Sequence, residues 1–284
     1  MLVTLKESLA YATQHQFGIG AFSVASLEMI QGAVRAAEDL KAPIILQIAE
    51  VRLKHSPLHL IGPAMIAAAK KASVPIVVHL DHGLTEETIL QALELGFTSV
   101  MYDGSHEKLE VNISNSKKIQ RLAAQYHASF EAEVGRVGGS EDGSEEIEML
   151  STSVADAVRF VEEVPVDALA VAYGNAHGVY KGEPKLQFEK LSEIQEKVNI
   201  PLVLHGGSGI SKEDFQKSIE LGVRKINVAT STFQSVQQIV NQHAPFDDYY
   251  ALHTQLIQGA YDNVSRHIYM FNSHQQIKEG LQHV

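Results

Sequence analysis

Three short stretches of the chain combine a histidine with glycine or other small residues. They are LDHG, which contains His82, NAHG, which contains His177, and LHGGSG, which contains His205. Neutral imidazoles are good ligands for divalent transition metals, and three of them leave a fourth position of a zinc ion open for substrate. A single histidine is more often structural or exposed, so a metal site requires that the three stretches meet in space. We keep the structural interpretation for His79, His106 and His127.

Two glycine- and hydroxyl-rich stretches near the end of the chain could bind an anion. HGGSG (205–209) contains Gly206, Gly207 and Ser208, and NVATS (227–231) contains Thr230. Glycines let the backbone approach a phosphate closely, and exposed N–H groups and hydroxyls can donate to its oxygens. The alternative is a pair of tight turns that cap the following helices. A metal site beside a phosphate site indicates a phosphorylated substrate whose carbonyl group the metal polarises.

Such chemistry also requires groups that transfer protons, and two carboxylates are candidates. Asp81 directly precedes His82, and Glu141 lies within the long polar segment GRVGGSEDGSEE (135–146). A long polar loop is typical of a mobile lid. For Glu141, spacing alone favours the alternative, a solvated residue in an acidic loop.

Eight short β-rich runs alternate with segments of helical periodicity. The runs are residues 17–22, 43–48, 75–80, 98–102, 128–134, 168–172, 201–205 and 225–229. This alternation predicts the α/β class, and eight units in one domain of residues 1–284 predict a (β/α)8 TIM barrel. A doubly wound open sheet is the alternative, but FSVAS (22–26) is not the glycine-rich loop that usually follows its first strand. Residues 243–284 exceed the eight units and are expected to form extra C-terminal helices, a helical extension that could pack on a neighbouring subunit.

The barrel prediction brings the candidate residues together. In such barrels the active site lies at the C-terminal ends of the strands, and the loops after strands 7 and 8 are the usual phosphate site. His82, His177 and His205 follow strands 3, 6 and 7, and the two anion-binding stretches follow strands 7 and 8. This placement favours the metal and phosphate interpretations over the structural ones.

Composition excludes several other classes. The formal net charge of −11 and the lack of a basic run argue against binding of nucleic acid or an anionic membrane. The chain has no cysteine, which excludes disulfides and thiolate ligands and fits a reducing compartment. No apolar run approaches the roughly 20 residues of a spanning helix, and the first 16 residues do not form a signal peptide. We therefore expect a soluble, cytoplasmic protein.

Six stretches occur in an order that resembles one enzyme family. VVHLDHG, SVMYDGSH, EAEVGRVGG, HGVYKGEP, LVLHGGSGI and KINVATS resemble the class II, zinc-dependent ketose-bisphosphate aldolases, over roughly residues 1–240. These include fructose- and tagatose-1,6-bisphosphate aldolases, and VATS is more similar to the tagatose branch. The resemblance implies a lyase that reversibly cleaves a ketose 1,6-bisphosphate to dihydroxyacetone phosphate and glyceraldehyde 3-phosphate. It also implies a homodimer or homotetramer.

The resemblance further implies a role for individual residues. One Zn²⁺ would be bound by the three histidines, with Asp103 and Glu133 either supporting these ligands or providing an alternative metal position, and a Na⁺ or K⁺ ion would lie near the phosphate. Asp81 would be the acid/base at the C4 hydroxyl or the aldehyde oxygen, and Glu141 would exchange the proton on the carbon of dihydroxyacetone phosphate. The implied substrate-binding residues are Gly178, Lys181, Gly206, Gly207, Ser208, Asn227, Val228, Ala229 and Thr230.

The sequence departs from the family pattern on the acceptor side. Ser23 replaces a common asparagine, Ala49 a frequent serine, and Ile257 stands where many members carry an arginine that binds the distal phosphate. The acceptor aldehyde could therefore be unphosphorylated or held by another cation. Two rivals remain, a Schiff-base aldolase and a non-catalytic sugar-phosphate-binding barrel. The first needs a lysine at the barrel mouth, whereas Lys225 begins strand 8.

Overall fold

A computed structural model describes residues 1–139, 148–180 and 182–277 of the chain. Eight parallel strands close into a barrel in the order β1-β2-β3-β4-β5-β7-β9-β10 and back to β1, which confirms the predicted (β/α)8 fold. These strands are β1 (Ile19–Ser23), β2 (Ile44–Ala49), β3 (Ile76–Gly83), β4 (Ser99–Tyr102), β5 (Ser129–Val134), β7 (Ala168–Val171), β9 (Leu202–Leu204) and β10 (Val223–Val228). Two further short strands, β6 (Gly138–Gly139) and β8 (Ala176–His177), pair with each other at the C-terminal ends of the barrel strands.

Helices connect successive strands, and several begin at a side-chain cap. They are α1 (Leu5–His15), α2 (Leu27–Asp39), α3 (Leu58–Lys71), α4 (Glu86–Glu94), α5 (Leu109–Gln125), α6 (Val154–Glu163), α7 (Phe188–Val198), α8 (Lys212–Glu220), α9 (Thr230–His243) and α10 (Tyr249–Met270), with a 3-10 helix at Glu50–Arg52. The Thr85 side chain accepts a hydrogen bond from the Thr88 N–H at the start of α4. No helix among the described residues is long and apolar enough to cross a membrane.

The barrel interior changes from apolar to polar along its axis. Alternate side chains of β3 share one face, and Val77, His79 and Asp81 all lie on the interior side. Val77 packs in the apolar cluster that includes Leu5 and Leu9 of α1, so α1 closes the N-terminal end. His79 and Asp81 follow toward the C-terminal end, where the interior becomes polar. His79 thus lies within the strand, as the sequence predicts, and hydrogen-bonds to the Ser99 hydroxyl at 2.8 Å.

Helix α10 follows the eighth barrel helix and packs against α2 and α9. Gly32 of α2 permits this packing, because a Cβ at that position would collide with the Ile257 carbonyl oxygen of α10. Ile257 therefore lies where two helices of the same chain meet.

Candidate active site

The end of β3 is distorted, and this distortion positions His82. The pairing register between β3 and β4 shifts between Leu80 and Gly83, and His82 adopts a left-handed φ of 42°. A positive φ is uncommon for a residue with a side chain and is found preferentially at functional sites. The shift separates the two neighbours, so that Asp81 and His82 are both buried at the barrel mouth but have different partners.

The three predicted metal-binding histidines meet at one point. Each of His82, His177 and His205 offers a ring nitrogen within 4.8 Å of the other two, and a metal ion could bind among them. The ring centroids of His82 and His177 are 5.0 Å apart, and those of His82 and His205 are 4.4 Å apart. Distant segments of the sequence therefore converge here.

The hydrogen bonds around two of these rings fit a bound cation. His82 Nδ1 lies 2.7 Å from Asp103 Oδ2, and His205 Nε2 lies 3.0 Å from Glu131 Oε1. If these nitrogens donate to the carboxylates, the remaining nitrogens, His82 Nε2 and His205 Nδ1, present lone pairs to each other at 2.7 Å. Such a contact is repulsive unless one of the two nitrogens is protonated or both bind a metal ion. Carboxylates that orient histidines in this way are typical of metal sites.

Protonation of His205 is the weaker of these two explanations. Burial lowers the pKa of His205 well below its ordinary value, and the neighbouring His82 and Lys225 charges lower the pKa further. The neutral imidazole is the form that binds a metal. The donor set therefore suits a divalent transition metal.

A second group of possible ligands shares His82 with the first. His82, Asp103 and Glu133 offer one ligand atom each within 4.8 Å of one another. Burial acts to raise the pKa of Asp103, but hydrogen bonds from His82 and Ser105 outweigh it and hold that pKa well below its usual range. Glu133 also accepts from the Val137 N–H at 3.0 Å. The predicted alternative metal position is thus geometrically possible.

Asp81 lies outside both groups and is held by two amides. Gln47 Nε2 donates to its Oδ2 and Asn227 Nδ2 donates to its Oδ1, each at 2.9 Å. These donors come from β2, the neighbour of β3, and from β10, two strands beyond β2 around the barrel wall. Sequence analysis missed Gln47, although a polar residue inside the apolar run IILQI was a signal that could have identified it.

Beneath the histidines lies a buried ion pair that the sequence also did not predict. Lys225 Nζ is 3.0 Å and 2.9 Å from the two oxygens of Glu131, and it is 3.9 Å from Asp81 Oδ1. Both side chains of the pair are fully buried. Glu131 thus connects Lys225 to His205, and Lys225 is engaged inside the barrel instead of projecting from the mouth.

The predicted substrate-binding loops line a pocket beside Asp81. The pocket is lined by Ser23, Gln47, Ala49, Arg52, Asp81, His177, Gly178, Gly206, Ser208, Asn227, Ala229 and Thr230. Gly207 and Val228 do not line it. The Gly207 N–H donates to the Asn227 carbonyl, and the Val228 side chain packs in the apolar core between the strands and the helices. Glu141 and Lys181 lie outside the described residues.

Tyr180 joins two of the loops that form this pocket. Its hydroxyl accepts from the Ala176 N–H at 2.9 Å and donates to the Gly206 carbonyl at 3.0 Å. Burial raises the pKa of Tyr180 to about 12, which keeps the hydroxyl protonated as a donor. Gly206 has a φ of 67°, and a Cβ there would collide with the Ala176 carbonyl. This close approach places Gly206 beside the strand that carries His177.

Fold, clustered histidines and pocket together define a (β/α)8 barrel with a possible metal site at the mouth of its strands, and comparison with known proteins identifies its family. Residues 3–276 match the family model described as fructose-bisphosphate aldolase class-II, and the chain belongs to that family. Its members are lyases, so the chain is an enzyme of the class II aldolase type.

Two relatives of the chain carry different aldolase names, and one solved aldolase structure superposes on it. The chain is 38% identical over 292 residues to the 6-phospho-5-dehydro-2-deoxy-D-gluconate aldolase of Halalkalibacterium halodurans, covering 99% of each protein. It is 36% identical over 247 residues to the fructose-bisphosphate aldolase of Staphylococcus aureus (strain Mu50), covering 84% of this chain and 86% of the relative. The X-ray structure of the YdjI aldolase from Escherichia coli K12 superposes with a TM-score of 0.90 at 32% identity, covering 98% of this chain and all of that one.

Proposed function

We propose that the chain is a zinc-dependent aldolase that reversibly cleaves a ketose phosphate into dihydroxyacetone phosphate and an aldehyde. The observation that carries this proposal is the contact between His82 Nε2 and His205 Nδ1 at 2.7 Å, with the outer nitrogens taken by carboxylates. His82, His177 and His205 would hold the zinc ion, with Asp103 and Glu133 as its alternative position. When bound, zinc supplies Lewis-acid polarisation of the substrate carbonyl.

The protein's own residues account for the proton transfers. In cleavage, Asp81 takes the proton of the C4 hydroxyl, the C3–C4 bond breaks, and its electron pair remains on the dihydroxyacetone phosphate carbon. Glu141 then returns a proton to that carbon. The amides of Gln47 and Asn227 keep both carboxylate oxygens of Asp81 in place for this step.

The donor phosphate would bind where the loops after β7, β9 and β10 meet. Gly178, Gly206 and Ser208 line this part of the pocket, and the N-terminus of α9 begins at Thr230. The Ser208 hydroxyl accepts from the Ser231 N–H at 3.0 Å, which ties the loop after β9 to that helix. A helix N-terminus favours an anion because the positive end of the helix dipole lies there. A Na⁺ or K⁺ ion beside the phosphate is part of the proposal.

Two candidate substrates differ in the acceptor half. A fructose- or tagatose-1,6-bisphosphate would release glyceraldehyde 3-phosphate, as the name of the Staphylococcus aureus relative suggests. The Halalkalibacterium halodurans relative is named for a gluconate, whose acceptor half carries a carboxylate instead of a phosphate. Ser23 and Ala49, two of the three departures from the common pattern, line the pocket, which favours an acceptor other than glyceraldehyde 3-phosphate.

Metal removal and proton exchange test this function. The protein should contain about one zinc per chain, lose exchange of the dihydroxyacetone phosphate proton with solvent after chelation, and regain it on addition of zinc. A zinc-loaded protein without exchange would be a non-catalytic binder, and the proposal would be wrong. Borohydride treatment with dihydroxyacetone phosphate should give no covalent adduct, whereas an adduct would identify a Schiff-base enzyme.

A further inference from the structure

Lys225 of β10 and Glu131 of β5 form an ion pair inside the barrel, and neither residue lines the substrate pocket. The two strands are separated by β7 and β9, so the pair crosses the barrel interior. Both side chains are fully buried. Apolar residues of similar size often stabilise a fold as well as a buried ion pair does, or better. Stability alone is therefore a weak reason for this pair, and its contacts at the histidines indicate another.

Glu131 requires a counter-ion because its carboxylate is shielded from water. Asp103, which contacts His82 in the corresponding way, keeps 14% of its side chain exposed, whereas Glu131 keeps none. Lys225 Nζ lies 3.0 Å from Glu131 Oε1 and 2.9 Å from Oε2. His79 Nε2 lies 3.7 Å from Oε2, but burial and the Lys225 charge hold the pKa of His79 well below its ordinary value. Lys225 is therefore the cation that balances Glu131.

The order of donors and acceptors in this cluster determines how His205 is protonated. The Lys225 ammonium has hydrogens and no lone pair, and an ionised Glu131 has lone pairs and no hydrogen. His205 Nε2 lies 3.0 Å from Glu131 Oε1, so this nitrogen must donate. The single proton of the neutral imidazole is then on Nε2, and Nδ1 keeps the lone pair that a metal ion needs. Nδ1 is the nitrogen that lies 2.7 Å from His82 Nε2.

We infer that Lys225 and Glu131 act together as positioning residues for the zinc ion, because they hold the proton of His205 on Nε2 and leave Nδ1 free for the metal. The inference rests on the zinc site of the proposed function, and neither residue is one of the proposed ligands. The other tautomer of His205 would place a hydrogen on Nδ1 and direct it at His82 Nε2. That hydrogen would occupy the position where the metal must bind.

Two double variants test the inference without leaving a buried charge unpaired. Lys225→Met with Glu131→Gln keeps an acceptor for His205 Nε2, since an amide oxygen can replace Oε1. Lys225→Met with Glu131→Leu removes this acceptor at similar side-chain size. The first double variant should bind zinc within about fivefold of wild type, and the second roughly 10–100-fold more weakly. ¹⁵N NMR of metal-free, histidine-labelled protein should show the His205 proton on Nε2 alone in wild type and the first variant, and on both nitrogens in the second.

The single variant Lys225→Met tests whether the lysine acts through Glu131. It leaves the carboxylate charged, buried and unpaired, so both zinc affinity and melting temperature should fall below those of the first double variant. Adding Glu131→Gln to Lys225→Met should therefore restore zinc affinity. If the second substitution instead weakens zinc binding further, the two residues do not act as a unit and the inference is wrong.

The matched control is Lys117→Met with Glu163→Gln, which removes a partly exposed ion pair of 2.7 Å between α5 and α6. It should leave zinc affinity within about twofold of wild type. Equal zinc affinity in the two double variants at Lys225 and Glu131 would overturn the inference, because the pair would then have a structural role alone. It would also be overturned if the first double variant bound zinc normally but cleaved substrate more than about tenfold more slowly. Lys225 would then act on Asp81, whose Oδ1 is 3.9 Å from Nζ.

Failure of the proposed function is distinguishable from failure of this inference. Without the proposed function, the zinc-loaded wild type would show no exchange of the dihydroxyacetone phosphate proton. The tautomer of His205 is measured on metal-free protein and does not depend on that result.

Discussion

Replacement of Asp81 by asparagine separates proton transfer from metal binding. Both oxygens of Asp81 accept an amide hydrogen bond, so an asparagine must turn its NH₂ toward either Gln47 or Asn227. One buried donor then loses its acceptor, which costs about 1–3 kcal/mol of folding free energy. Loss of a positioned acid/base lowers kcat by roughly 10²–10⁴-fold, equivalent to about 3–5 kcal/mol in the activation barrier. We expect Asp81→Asn to fold, to cleave substrate about 10³-fold more slowly, and to keep its zinc.

Three measurements on the same preparation check this expectation. Zinc per chain comes from elemental analysis, cleavage from reduction of the released dihydroxyacetone phosphate by a coupled dehydrogenase, and proton exchange from loss of isotope label. Exchange should fall less than tenfold, because Glu141 and not Asp81 is proposed to act at the donor carbon. The matched control is Asp39→Asn, which makes the same substitution at an exposed aspartate and leaves the acid/base in place. Loss of zinc from Asp81→Asn, or an equal fall in exchange and cleavage, would refute the assignment of Asp81.

Three further variants probe the surroundings of the site. His205→Ala should weaken zinc binding by more than about 100-fold, and unchanged metal content would remove His205 from the ligand set. Tyr180→Phe loses both hydrogen bonds that join its two loops, so KM for the phosphorylated donor should rise more than kcat falls; a pure loss of melting temperature would show a structural role alone. Burial lowers the pKa of His267 to about 4 in the folded protein. Between about pH 6.5 and pH 4 the unfolded chain therefore binds a proton that the folded protein does not. The free energy of unfolding should fall by about 3 kcal/mol as the pH drops through this range. Urea titrations should show a shallower pH dependence for His267→Phe than for wild type or the exposed-site control His59→Gln.

The strand pattern was sufficient to predict the barrel, but strand ends were less accurate. The third β-rich run was predicted to end at residue 80, whereas β3 continues to Gly83. Sequence rules treat polar residues and glycine as the beginning of a loop. In a barrel, the C-terminal ends of the strands carry the active-site residues, so polar residues belong to the strand itself. His82 was therefore recognised by type and spacing, but its left-handed backbone was not predictable.

The residues that sequence analysis missed share one physical feature. Gln47, Lys225 and Glu131 point into the barrel from strands whose two faces are both buried. Since both faces are covered, the alternation of polar and apolar residues that would mark an interior position is weak. Arg52, which also lines the pocket, was missed for another reason: a charged residue after a strand is ordinarily solvated, whereas the Arg52 guanidinium lies over the Phe233 ring of α9.

The buried carboxylates at the barrel mouth outnumber the buried cations, and this excess of negative charge bears on the metal site. Asp81, Asp103, Glu131 and Glu133 contribute four carboxylates within a few contacts of the three histidines, and Lys225 contributes one buried ammonium. Buried charges of one sign are costly unless they are paired or bind a metal. A divalent cation at the histidines would offset most of the excess negative charge, and it would do so beside the place where an anionic substrate must enter. Lys225 is engaged with Glu131, so the metal ion would offset the charge of the carboxylates that remain, Asp103 and Glu133 among them.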